Sequence, residues 1–140
     1  MSDRVIQPEG WAKPRGYANG MVARGTTVYV AGQIGWDAQQ KLVGDDFVSQ
    51  FRQALSNVVA VVEAAGGKAE HIVRLTIYTT ELDAYRGNIK AVGAAYRETL
   101  GKHFPAMALL GVAGLVDAGA LVEIEGTAVL PEQASPEEEA

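Results

Sequence analysis

The sequence predicts an α+β fold, one β-sheet with two helices packed on the same face. Segments with the two-residue alternation of strands and segments with the 3.6-residue period of helices succeed one another as strands, helix, strand, helix, strands. Each long helical segment carries a single apolar stripe and so has one surface to cover, which a shared sheet supplies. At 140 residues and 48% hydrophobic content the chain can bury such a core as one domain, expected over residues 1–130.

The first element is the β-branched and aromatic run TTVYVAGQIG, Thr26 to Gly35, a strand that breaks into a glycine turn. From Asp46 the period changes: Phe47, Phe51, Ala54, Leu55, Val58 and Val62 fall on one helical face, and the helix stops at AAGG, where Gly66 or Gly67 can take a left-handed conformation. HIVRLTIYTT alternates again, placing Val73, Leu75 and Ile77 on one face and Arg74, Thr76 and Tyr78 on the other. Asp83 then offers an N-cap for a second helix with the stripe Tyr85, Ile89, Val92, Tyr96 and Leu100, ending at Gly101. AMALLGVAG and ALVEIEGTAV give the last two strands, on either side of the turn LVDAGA. With both helices on one side, the opposite sheet face is expected to expose Val, Leu, Ala and Met, a patch that predicts self-association.

Composition removes several classes of function. Cysteine is absent, so there is no disulfide framework and no thiolate chemistry, which fits a reducing, cytoplasmic setting. The stretch MSDRVIQPEGW contains no apolar run of signal-peptide length, and no segment reaches the roughly 18 apolar residues of a membrane span. The net charge of −5 is concentrated in the end PEQASPEEEA, whose four glutamates leave the rest of the chain at −1. That acidic end, residues 131–140, is expected to be disordered, and the nearly neutral remainder has no basic stripe for nucleic acid. His71 and His103 lack the spacing of metal ligands, no serine stands in a nucleophile elbow, and no glycine pattern fits a nucleotide loop. No metal, no cofactor, no nucleic-acid partner and no membrane are expected.

One segment does not fit a plain surface strand. In ALVEIEGTAV, strand alternation puts Glu123 and Glu125 on one face, against Val122, Ile124 and Ala128 on the other. Taken with RGYANG, VYVAGQIG, the EAAG that precedes HIVRLTIYTT, and FPAMALLGVAGL, this segment resembles the Rid family (YjgF/YER057c/UK114) over most of the chain, from about Val5 to Leu130. The resemblance implies a chorismate-mutase-like mixed sheet backed by two helices. It also implies a homotrimer whose sheets form a central barrel, with a small-molecule cleft between each pair of subunits.

By the same resemblance, Glu123 is the cleft carboxylate that positions and activates water, a role suited to general acid–base chemistry, and Tyr17 is a polar catalytic contact. Gly32, Gln33 and Pro105 match the family frame. Ala31, Gly93, Met107 and Leu109 stand where the imine-deaminase branch carries serine, asparagine, arginine and cysteine. These residues, with Gly32 and Gln33, are the expected substrate-binding set. Methionine for arginine removes a bidentate carboxylate anchor, worth about 1.5–3 kcal/mol. The cleft is therefore expected to serve a larger and less anionic imine, enamine or related unsaturated metabolite than the small 2-imino acids. Two readings stay open: a hydrolase of the deaminase type, and a non-catalytic ligand-binding or chaperone-like trimer. Ribonuclease activity is a weaker third, for want of a phosphate-binding cluster.

Overall fold

In the computed structural model, which describes residues 4–132, the alternating runs form strands and the periodic runs form helices. The order is β1 (Arg4–Ile6), β2 (Gly20–Val22), β3 (Thr26–Ile34), α1 (Phe47–Ala64), a 3-10 turn (Ala69–His71), β4 (Ile72–Thr79), α2 (Leu82–Gly87), α3 (Ile89–Leu100), β5 (Ala106–Gly111) and β6 (Val122–Leu130). Strands β3, β6, β4 and β5 form one sheet in that spatial order. β6 runs antiparallel to both its neighbours, while β4 and β5 run parallel, so the sheet is mixed. β5 and β6, consecutive in sequence, do not pair with each other. β1 and β2 form a separate two-stranded sheet that sequence reading missed, because three residues are too few to show a period. Residues 133–140, most of the expected acidic end, lie outside the described residues.

The core lies between the sheet and the helices. Val122, Ile124 and Ala128 of β6 are fully buried, beside Ile72, Leu75 and Ile77 of β4. They meet Phe51, Leu55, Val58 and Val62 of α1 and Val92, Tyr96 and Leu100 of α3 in one continuous cluster. The expected face of β4 needs one correction: the ladder with β6 shifts register between Ile72 and Arg74, so Ile72 joins Leu75 and Ile77 in the core and Val73 is only half-buried.

The second helix departs from expectation twice. It is broken at Asn88, whose backbone leaves the helical region and whose side-chain amide donates to the Ala84 carbonyl at 2.7 Å. An asparagine that offers the backbone this alternative partner, next to Gly87, interrupts a helix. Its N-cap position is Glu81, whose side chain makes no capping hydrogen bond, and Asp83 sits in the first turn. The outer sheet face is also less apolar than expected. Met107 and Leu109 pack on the helix-side core, so the outer face pairs Tyr29 (81% exposed) and Leu110 (45% exposed) with Arg74, Tyr78, Glu123 and Glu125.

Two local polar devices fix α1. Asp46 caps it, its carboxylate accepting from the Ser49 N–H at 2.9 Å, and Gly66 beyond its end has φ +93°. That hydrogen bond holds the Asp46 carboxyl below its ordinary range. Gln50, fully buried, donates to the Gly44 and Gly119 carbonyls at 2.8 and 3.0 Å and accepts from the Leu121 N–H at 2.8 Å. It thereby ties the helix to the loop that feeds β6. A Cβ on Gly35 would lie 2.5 Å from the Gln50 Cα, so only glycine lets the end of β3 pass this close to α1.

Two outcomes follow for stability. Gln50→Leu removes the side-chain partner of three backbone groups, at Gly44, Gly119 and Leu121, and should destabilise the fold by about 2–4 kcal/mol, seen as a lower denaturant midpoint at unchanged slope. Asp46→Ala should lower the melting temperature at pH 7. Because the folded Asp46 carboxyl titrates below its unfolded value of 3.8, its contribution is complete above that value and is lost as pH falls through the folded one. The difference in melting temperature between wild type and Asp46→Ala should therefore shrink below about pH 4.

Candidate active site

The expected site residues fall into two groups on opposite faces of the sheet. The first gathers on the outer face around β3 and β6. The ladder runs from Val30 opposite Gly126 to Gln33 opposite Ile124, leaving Ala31 and Gly32 in a bulge across from Glu125. Gln33 donates its side-chain amide to the Ala31 carbonyl at 3.1 Å, which closes the bulge. Glu123 lies directly against it: a Cβ on Gly32 would sit 2.5 Å from the Glu123 Oε2. The absence of a side chain at position 32 is thus what gives the carboxylate its place. Beside it, Tyr78 donates its hydroxyl to Glu125 Oε1 at 2.6 Å. That hydrogen bond holds the Tyr78 phenol above the usual tyrosine range, since deprotonation would oppose an anion to a carboxylate. Glu125 is engaged within its own chain, which leaves Glu123 as the acid beside the bulge.

The second group lines a cavity of about 500 Å³ on the helix side, between α3 and the edge strand β5. Tyr17, Gly93, Met107 and Leu109 all face it. Tyr17, 42% exposed, is brought there because the Ala18 N–H donates to the Pro105 carbonyl at 3.0 Å and Ala18 bridges to Ala106, pinning the RGYANG loop to the start of β5. The buried Pro105 therefore acts through position, holding the loop rather than lining the cavity. The floor is aromatic and aliphatic, from Phe51, Ile77, Tyr96 and Phe104. The Tyr96 and Phe104 rings stack with centroids 5.2 Å apart, and the Tyr96 hydroxyl donates to the His103 carbonyl at 2.7 Å. Burial pushes the Tyr96 phenol well above its ordinary range, which keeps it neutral.

Glu123 does not reach this cavity within one chain. Leu109 and Ile124 share a row with Ile77 and point to the helices, whereas Glu123 occupies the next row, opposite Tyr78, and points away. Sequence reading also missed two cations on the cavity rim, Arg15 and Arg97. Arg97 follows Gly93 by four residues on α3, one turn along the same face, and its Nη1 lies 3.3 Å from where a Gly93 Cβ would be. That spacing was the available signal. Charge therefore does reach this cavity: position 107 is a methionine, but the guanidinium groups of Arg15 and Arg97 enter its lining. His71 and His103 are occupied in backbone hydrogen bonds, to the Lys68 N–H at 3.0 Å and to the Ile72 carbonyl at 2.6 Å. Among the described residues no helix is long and apolar enough to cross a membrane.

A mixed sheet backed by helices, a bulged strand holding a carboxylate on the open face, and an apolar cavity at the edge strand together define an α+β protein of chorismate-mutase-like fold. The family model described as Endoribonuclease L-PSP matches residues 12–130, and the chain belongs to that family, the Rid (YjgF/YER057c/UK114) proteins. It is 37% identical over 108 residues to a 2-iminobutanoate/2-iminopropanoate deaminase of Salmonella typhimurium, covering 75% of this chain and 80% of that protein. It is 34% identical over 123 residues to the RutC family protein UK114 of Drosophila melanogaster, covering 87% of this chain and 86% of that one. Among solved structures, a conserved Rid-family protein of unknown function from Yersinia pestis superposes with a TM-score of 0.81 at 32% identity, over 93% of this chain and 100% of that one. The YjgF gene product of Escherichia coli superposes with a TM-score of 0.64 at 34% identity, over 90% and 98%.

Proposed function

We propose that the protein is a homotrimeric hydrolase of the imine-deaminase type, with Glu123 of one subunit completing the cavity of its neighbour. The observation that carries this reading is the division of the site: the carboxylate and the ligand cavity lie on opposite faces of one sheet, so a catalytic cleft has to be built from two copies. The open outer face, with exposed Tyr29 and Leu110 beside a hollow of about 570 Å³, is a surface suited to that assembly. Relatives named as imine deaminases give the reaction class.

In the reaction, Glu123 accepts a proton from water as its oxygen attacks the carbon of the C=N bond, giving a tetrahedral carbinolamine. Glu123 returns that proton to the nitrogen, making it NH2, then takes the carbinolamine hydroxyl proton and passes it to the same nitrogen as the C–N bond breaks, so ammonia leaves as the carbonyl forms and one imine and one water give one carbonyl compound and one ammonia. Tyr17 contacts the polar end of the substrate, and the bulge at Ala31 and Gly32 with Gln33 holds the carboxylate in place. Met107 and Leu109 make the wall apolar where the deaminase branch is polar, and the substrate is accordingly a bulkier imine or enamine than 2-iminopropanoate or 2-iminobutanoate. A role in binding without chemistry has less support, since nothing in it calls for a carboxylate seated against a side-chain-free position.

Sedimentation equilibrium at micromolar concentration should give three times the chain mass; a monomer would sink the shared-cleft reading. Glu123→Gln, which keeps shape and removes the base, should retain the trimer and lower turnover by about 100-fold or more, measured as ammonia release from imines generated by an amino-acid oxidase. Equal turnover in the variant would return Glu123 to an ordinary surface role.

A further inference from the structure

The cavity between α3 and β5 combines an apolar, partly aromatic floor with two guanidinium groups and no carboxylate among its lining residues. The ion pairs of the described residues join Arg52 to Glu98 and Arg86 to Asp83, and leave Arg15 and Arg97 without an acidic partner. Arg97 lies over the side of the cavity that Gly93 leaves open, its Nη1 3.3 Å from where a Gly93 Cβ would be. Two cations beside an apolar hollow exceed the single carboxylate that Glu123 of a neighbouring subunit would bring, which leaves positive charge for an anion that carries its own apolar body.

We propose that this cavity binds the carboxylate of a ligand with an aromatic or branched apolar body, Arg97 taking the carboxylate and Arg15 supplying a second positive charge at the rim. The inference rests on the hydrolase reading above and names its substrate class: 2-imino acids with large apolar side chains, the anchor having moved from β5 to α3. At about 500 Å³ the cavity is in the range of sites that enclose whole small ligands, and an acid of three or four carbons would leave most of its floor uncovered. Arginine suits the task because its planar fork meets a carboxylate with two parallel hydrogen bonds.

Isothermal titration of the full chain with phenylpyruvate, its methyl ester and pyruvate reads the proposal directly. Phenylpyruvate should bind at least about tenfold more tightly than either of the others, because the ester lacks the charge and pyruvate lacks the body. Arg97→Gln should cost phenylpyruvate about ten- to hundredfold in affinity while leaving the ester unchanged, and Arg97→Lys should recover part of the loss. Arg97 is exposed, so the melting temperature should not move in either variant. Equal affinity for acid and ester, unaltered phenylpyruvate binding in Arg97→Gln, or no binding of any of the three, as would follow if a neighbouring subunit filled the cavity, each overturns the proposal. Arg97-dependent binding without hydrolysis of any imine would leave this inference standing and remove the hydrolase reading, and hydrolysis indifferent to Arg97 would do the reverse.

Discussion

The rest of the structure depends on the two-sidedness of β6. This strand lies between β3 and β4, so both its edges are used in hydrogen bonding and its register is fixed from two sides. Val122, Ile124 and Ala128 fill the space beneath α1, and a slip by one residue would drive glutamates into that core while exposing the aliphatic side chains. Burial of one face therefore dictates where the acids stand. Glu123 is a residue of the outer face because its neighbours on either side are residues of the core.

Polar groups then set the details that apolar packing leaves free. Gln50 joins α1 to the loop entering β6, so helix and central strand are positioned by the same side chain. His103 and Tyr96 do the equivalent for the cavity: the imidazole meets the Ile72 carbonyl and the phenol meets the His103 carbonyl, locking the end of α3 to the approach of β5. A ligand entering between α3 and β5 would therefore meet walls already satisfied by internal partners, and the polar groups left to it are those of the rim. The cavity is in this sense preorganised, with little side-chain ordering left for a ligand to bring about.

The exchange of residues around the cavity has a coherent physical sense. Methionine and leucine at 107 and 109 extend the core outward along β5, which enlarges the apolar wall but leaves no donor on that strand. Glycine at 93 opens the opposite wall, and Arg97 occupies the opening. In this cavity β5 presents apolar side chains and α3 presents a charged one, which sets the direction from which an anion would be gripped.

Sequence by itself determined the layer architecture and the two faces of β6, because period and burial are local properties: the stripe of α1 and the alternation of VEIEGTAV each occupy a few consecutive residues. It also determined which family frame the chain follows, through Tyr17, Gly32, Gln33, Pro105 and Glu123. It did not reveal the β1–β2 pair or the break at Asn88, where elements are too short or a side-chain hydrogen bond competes with the backbone. Tertiary structure alone decided that Met107 and Leu109 face the helices while Glu123 faces away, because the face of an edge strand is set by its register with β4 rather than by its own pattern. It alone brought Arg15 and Arg97, far apart in the chain, to the lining of one cavity, where the Ala18–Pro105 hydrogen bond folds the RGYANG loop onto the start of β5.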